Sequence, residues 1–378
     1  MSIDFTPNVA EIRAVEELST ARPPRRRGRG GSTTKGQGRA AWMFVAPSLI
    51  IILLFLILPV IASLWVSLSD WSGKGSPLSA NFVGLKNYDA LLGKEGLSQK
   101  NMGISYRNIF YYVLLVVPLQ TVLALLLALV LNRRRLRGKG FFRTTFYFPS
   151  VTSSVAIALV FMFMFQASGA INAILAWFGI NGPNWFADPR GVGHLLLGAV
   201  GVDNAPGWLS AHKFLSVTWW DWLSGPSIAM CTIIVLAIWT TGGTFMLMFL
   251  AALQDIPEDM IEAAKVDGAT DWQAFRRVVV PALKPTFFLV ITLGLIGTWQ
   301  MFDQVFIISQ GSPQNTTMTP AFLSYQTSFT NGKWGQGAAI SFILFAVIIF
   351  FSLLQRLVMR DRKKVPRSHR IASWEKSR

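Results

Sequence analysis

Six long apolar runs, separated by polar segments, set the rhythm of this chain. They fall at 42–66, 108–131, 146–168, 227–251, 286–309 and 337–358. Each is long enough to cross about 30 Å of hydrocarbon at roughly 1.5 Å of rise per residue. The pattern predicts an all-α integral membrane protein with about six transmembrane helices. Between the third and fourth runs, the stretch LLLGAVGV is too short to span. The Trp-rich WWDWL nearby suits a membrane–water interface, and a short surface helix is expected around 208–223.

The polar segments set the orientation. With the N-terminus inside, the segments 1–41, 132–145, 252–285 and the tail from Arg356 hold 27 of the 35 Lys and Arg residues, and the outer segments 67–107, 169–226 and 310–336 hold 8. Positive charge stays on the cytoplasmic side, so both termini are expected there. NRRRLRGKGFFR, after the second run, is the strongest single stop signal. The expected organisation is a disordered basic tail (1–41), a first helix with an outer loop (42–107), a core of five helices (108–358) and a second basic tail (359–378). The first apolar run begins too late and is too long for a cleaved signal, so it reads as a retained anchor.

Composition agrees. Hydrophobic residues make up 52% and charged residues 14%, against roughly 25% charged in soluble chains. The net charge of +16 would suit nucleic acid, but its crowding beside apolar runs points to the bilayer instead, and no nucleic-acid partner is expected. Cys231 is the one cysteine, which excludes an intramolecular disulfide and a cysteine metal site. The three histidines are scattered, no HExxH occurs, and no Gly-Lys pair is followed by Ser or Thr as a phosphate loop requires. No metal, catalytic residue or cofactor is therefore assigned to this chain, and no acidic DxD cluster supports a membrane glycosyltransferase.

One cytoplasmic segment, Leu253–Pro285, is more ordered than a connector needs to be. It reads LQDIPEDMIEAAKVDGATDWQAFRRVVVPALKP. Pro257 suits a first helical position, and Glu258 and Asp259 complement the dipole of a helix that starts there. Gly268 offers a left-handed stop. Thr270 and Gln273 have the form of a capping box for a second helix, which Pro281 and Pro285 end. On physical grounds alone, an ordered cytoplasmic hairpin without a partner explains these features equally well.

The residues also carry a resemblance. Glu262-Ala263-Ala264, Asp267-Gly268-Ala269, Phe275 and Pro281 resemble the EAA loop of type I importer permeases of the ATP-binding-cassette superfamily. FVGLKNY (Phe82 to Tyr88), IWTTGGTFMLMFLAALQDIP and QGSPQNTTMTPAFLSYQTSF resemble the carbohydrate-uptake branch, similar to the first permease of maltose-type systems. One departure is Gly311-Ser312-Pro313, where that branch usually has Gly-Gly-Pro. The resemblance covers roughly 42–360 and implies a type I importer permease fold in the bacterial cytoplasmic membrane. It implies four kinds of partner: a second homologous permease, two ATPase subunits that bind ATP and Mg, an extracytoplasmic solute-binding protein, and the bilayer. It further implies that Glu262, Ala263, Ala264, Asp267, Gly268, Arg276 and Pro281 couple this chain to the ATPase. Phospholipid is an equal alternative for Arg276.

Polar groups at membrane depth are costly and usually face a cavity or a partner. Trp299, Gln300, Asp303 and Gln304 in the fifth run are the candidate substrate pathway, with Tyr325 beyond it. Packing against a partner permease would use the same groups. Thr240, Thr241, Gly242 and Gly243 read as helix-packing residues. No basic group lies at midspan, which tilts toward a neutral solute such as a sugar. An importer of glycerol phosphate or another small solute, or a secondary carrier, is the alternative.

Overall fold

The computed structural model describes residues 35–133, 136–202 and 206–359. The tails expected to be disordered lie outside the described residues, apart from 35–41 and 359. The chain divides into two compact units at Ile61/Ala62.

The first unit is a helix that starts at Lys35 and forms most of the span α1 (Ala40–Ser67). Its side chains are apolar on every side, and Phe55 is 77% exposed. Apolar residues all round suit hydrocarbon as the surrounding solvent.

In the second unit, three helices are long and apolar enough to span alone: α2 (Leu97–Asn132), α5 (Ile228–Gln254) and α9 (Trp334–Val358). Between α2 and α5 come α3 (Lys139–Val151) and α4 (Ser154–Met164). Between α5 and α9 come α6 (Glu258–Val266), α7 (Asp271–Ala282) and α8 (Lys284–Trp299). The pairs α3–α4 and α7–α8 each count as one span only if bent ones are admitted, giving six with α1.

Both bent pairs correct the expectation of straight spans. The run 146–168 breaks at Thr152-Ser153, where the axis turns by 100°. Pro149 lacks an N–H inside the last turn of α3, and Thr152 Oγ1 donates to the carbonyl of Phe148 (2.9 Å), which satisfies an end of chain that no helix continues. The 11 residues of α4 rise only about 16 Å, too little to cross alone. The α7–α8 break of 64° falls at Leu283, between Pro281 and Pro285, neither of which can donate a helical bond. The fifth run, predicted to reach 309, ends as a helix at Trp299, and a separate turn over Val305–Ser309 follows.

Burial ranks the spans. In α5, 56% of the apolar window is buried, against 22% in α9. Helix α5 is thus the hub, packed on α2 along its outer half through Met230, Ile233 and Ile234 against Ile109, Val113 and Val116. Nearer the cytoplasm, Met246, Phe249 and Leu250 meet Ala124, Ala128, Leu283 and Val290. Hydrocarbon surrounds these helices, so close packing rather than expulsion of water holds them together.

Helix α2 begins about three turns earlier than the apolar run at 108 suggests. Its polar start is held by tertiary contact: Gly103 lies against the backbone of Leu215, and Ser216 Oγ donates to Gln99 Oε1. The region expected as one surface helix at 208–223 is a helix Gly207–Ala211, a two-stranded ribbon (β1, Lys213–Phe214; β2, Val217–Thr218) and a turn of helix Trp219–Trp222. Leu215 and Ser216 take the left-handed conformation that a two-residue hairpin demands. LLLGAVGV contributes only the short helix Val192–Ala199.

Candidate functional site

Two places concentrate the residues singled out by sequence. The first is the hairpin α6–α7. Pro257 is the N-cap of α6 rather than its first helical residue, and Glu258 and Asp259 occupy the first turn. Gly268 sits at φ +83° with open space where a side chain would be, so the left-handed backbone alone calls for glycine. The capping box is formed: Gln273 N–H donates to Thr270 Oγ1 (3.3 Å), and Thr270 N–H donates to Gln273 Oε1 (2.9 Å). Lys265 Nζ pairs with Asp271 Oδ1 across the turn (3.1 Å), and Trp272 stacks on Phe275 at 5.5 Å between centroids.

Ile261 and Phe275 anchor this hairpin on the inner end of the core. Its other side is open. Glu262, Ala263, Asp267, Arg276, Arg277 and Pro281 are exposed and Ala264 is half-buried. Among the described residues, the carboxylate of Glu262 and the guanidinium of Arg276 have no ion-pair or hydrogen-bond partner. Met260, Val266 and Trp272 add apolar surface beside them; Val266 is 88% exposed. A stiff, capped element showing small, apolar and charged groups together has the makings of a docking face.

The second place lies halfway along α5. Two adjoining cavities of about 290 and 150 Å³ share Thr240, Thr241, Phe245 and Gln304 in their linings. Thr240 and Thr241, read from sequence as packing residues, therefore also face space. Ser150, Thr152 and Ser154 at the α3–α4 break close one side; Gln120, Gly294 and Thr298 close the other. Among the described residues, no Lys, Arg, Asp or Glu lines either cavity.

Of the predicted pathway residues, Gln304 lines both cavities. Asp303 is exposed and accepts from Ser154 Oγ (3.3 Å), and Gln300 is exposed at the end of α8. Trp299 is buried behind this wall, stacked on Phe351 at 5.1 Å. Tyr325 packs in an aromatic group with Phe302, Phe306 and Phe329.

Sequence reasoning missed Gln120. Its Oε1 accepts from Thr241 Oγ1 (2.7 Å), while its buried Nε2 has no partner among the described residues. Gly294 makes room for that amide: a Cβ there would lie 2.6 Å from Nε2. The signal was present, because Gln120 is the one amide in the run from Val113 to Leu131.

A bundle of bent and straight spans with a capped cytoplasmic hairpin and an uncharged mid-depth cavity defines a transport subunit. Residues 120–364 match the family model described as "Binding-protein-dependent transport system inner membrane component", and the chain belongs to that family. It is a multi-pass inner membrane protein and a component of transport, not an enzyme. Among similar proteins is the lactose transport system permease protein LacF of Rhizobium radiobacter, 31% identical over 325 residues, which are 85% of this chain and 94% of that protein. Another is the trehalose/maltose transport system permease protein MalF of Thermococcus litoralis, 27% identical over 86% of this chain and 96% of that one. The fold matches that in the crystal structure of a bacterial ABC transporter involved in import of the acidic polysaccharide alginate: TM-score 0.66, 19% identity, covering 87% of this chain and 98% of that chain.

Proposed function

We propose that this chain is the permease through which an ATP-driven importer moves a sugar, handed over by an extracytoplasmic binding protein. A second homologous permease completes the pathway, and two ATPase subunits carry ATP and Mg. The observation that carries this reading is the exposed, capped hairpin with Glu262 and Arg276 left without partners among the described residues. Ala263 and Ala264 let another chain approach the helix closely. Gly268 and the capping box hold α6 and α7 as one lever, anchored to α5 and α8 through Ile261 and Phe275. Displacement of that lever by ATP-driven closure of the ATPases shifts the bundle between two packings, which is how an external energy source biases access.

The cargo passes the mid-depth cavity. Gln304, Thr240, Thr241 and the free amide of Gln120 offer donors and acceptors to hydroxyl groups, and the absence of charge from the lining suits a neutral sugar better than a phosphate ester. Trp299 supports this wall from behind. Gln300, Asp303 and Tyr325 stand toward the outer approach, where the binding protein delivers.

Co-expression with the partner permease and ATPase tests the assembly. The complex will hydrolyse ATP and take up sugar in proteoliposomes, and the purified chain alone will hydrolyse none. Turnover by the lone, contaminant-free subunit, or uptake without the ATPase, would refute the reading. Within the complex, Gln304→Leu removes a polar group from both cavities. It is expected to lower uptake on the order of tenfold, as the loss of one or two hydrogen bonds should. Unchanged uptake kinetics across a panel of sugars would remove Gln304 from the pathway.

A further inference from the structure

At the outer end of the molecule, away from the mid-depth cavity, lies a larger one of about 620 Å³. The two linings share no residue. Its walls come from distant parts of the sequence: the protruding start of α2, the ribbon β1–β2, the turn at Trp219–Trp222, and the outer loop before α9. The walls are tied together. Arg107 Nη1 donates to the carbonyl of Asp221 (3.3 Å), the Tyr111 hydroxyl donates to that of Trp222, and His194 stacks on Trp220 at 4.5 Å.

Charge singles this cavity out. The outer segments hold 8 Lys and Arg residues in all, and four of them, Lys100, Arg107, Arg190 and Lys213, line it. Positive charge is disfavoured on this side of the membrane, so its concentration at one concave place calls for a local reason. Arg190 is neutralised by Asp188, to which it donates from Nη2 (2.7 Å) and Nε (3.0 Å). These bonds hold the Asp188 carboxyl below the usual carboxylate range. Lys100 and Lys213 differ most: they have no partner among the described residues. Arg107 donates to the carbonyl of Asp221 and to Asn108 Oδ1 (3.0 Å), and the nearby Asp221 carboxylate attracts it without a direct ion pair. Among the described residues, Asp221 is the one carboxylate in the lining, and its Oδ2 accepts from Thr218 Oγ1 (2.7 Å). Ser216, Ser227 and Thr316 add hydroxyls around the cations.

We infer that this cavity is an extracytoplasmic binding site for a small hydroxylated carboxylate of the sugar-acid class. Lys100, Lys213 and Arg107 receive the carboxylate, and the hydroxyl-bearing walls receive the ring. The volume is in the range of pockets that enclose small ligands, and cations with low-dielectric walls raise the local concentration of an anion. The site stands apart from the transport path, and its occupancy does not depend on coupling to an ATPase.

The test is calorimetric titration of the full chain in nanodiscs of zwitterionic lipid, with galacturonate, galactose and inorganic phosphate as probes. Galacturonate is expected to bind saturably, phosphate at least about tenfold more weakly, and galactose not at all. Lys100→Gln and Lys213→Gln each remove one charge from the rim without touching a packed contact. Each should weaken galacturonate about tenfold, while Lys74→Gln, outside the cavity, should leave it unchanged. No saturable binding of galacturonate, equal binding of phosphate, or unchanged affinity in both cavity variants would overturn the assignment.

Discussion

Replacing Gly268 with proline will abolish ATP-driven uptake while leaving the subunit in the membrane. The backbone at Gly268 has φ +83°, and proline holds φ near −65°. Its ring also removes the N–H that donates to the carbonyl of Lys265 (3.0 Å). The turn between α6 and α7 must then take another path, and the angle of α6 changes. Nothing in α6 is fully buried, so this rearrangement does not unpack the spans. Uptake should fall on the order of a hundredfold or more, with the variant recovered from the membrane fraction at wild-type level. Gly268→Ala is the graded control. A Cβ meets nothing there, so only left-handed strain of about 1 kcal/mol applies and most uptake should survive. Glu262→Lys tests the same face without touching the backbone. Glu262 is exposed and its carboxylate has no partner among the described residues, so reversing its charge leaves every contact described for the hairpin in place. Co-purification of the ATPase should drop together with uptake. Normal uptake in both Gly268→Pro and Glu262→Lys would remove this hairpin from coupling.

What could be read from the sequence divides along the range of the interactions. The hairpin was legible because its determinants are local: Thr270 and Gln273 sit three residues apart, and Gly268 acts through its own φ. Two roles shifted: Pro257 moved by one position to the N-cap of α6, and Pro285, expected to end the second helix, stands in the first turn of α8. The number of spans was legible because hydrocarbon selects composition. Their direction was not. A window of apolar residues reports transfer energy and is blind to an axis that turns by 100° at Thr152-Ser153, although the polar TSS beside Pro149 marks the place in retrospect. The ribbon at Lys213–Thr218 was missed because its stability depends on Gly103, more than a hundred residues away in sequence. For the same reason, nothing local to Gln120 predicts that Thr241 would occupy one end of its amide and leave the other facing a cavity.

Two adjacent glycines of α5 should respond to alanine with opposite signs. Gly243 faces the crossing of α3: a Cβ there would overlap the carbonyl oxygen of Phe146 and lie 2.9 Å from Ser150 Oγ. The first obstacle is helical backbone, which cannot step aside, so Gly243→Ala must push α3 away from α5. Overpacking of this kind costs about 2–3 kcal/mol. In a bilayer that loss is not softened by burial elsewhere, because close approach is itself the source of helix association. Gly242 points toward α2, where its added Cβ would find Leu123 Cδ2 at 3.5 Å, an ordinary contact with the end of a flexible chain. Gly242→Ala should therefore be neutral or gain up to about 1 kcal/mol from helix propensity. In thermal unfolding of the intact complex, Gly243→Ala is expected to lower Tm by several degrees and Gly242→Ala to leave it level or raise it. Transport should follow the same split, since α3 carries Pro149 and Ser150 into the lining of the mid-depth cavity. If the two variants fall together, or neither moves, the seat of α3 on α5 is not what Gly243 provides, and the wall of the cavity must be held by the α3–α4 break alone.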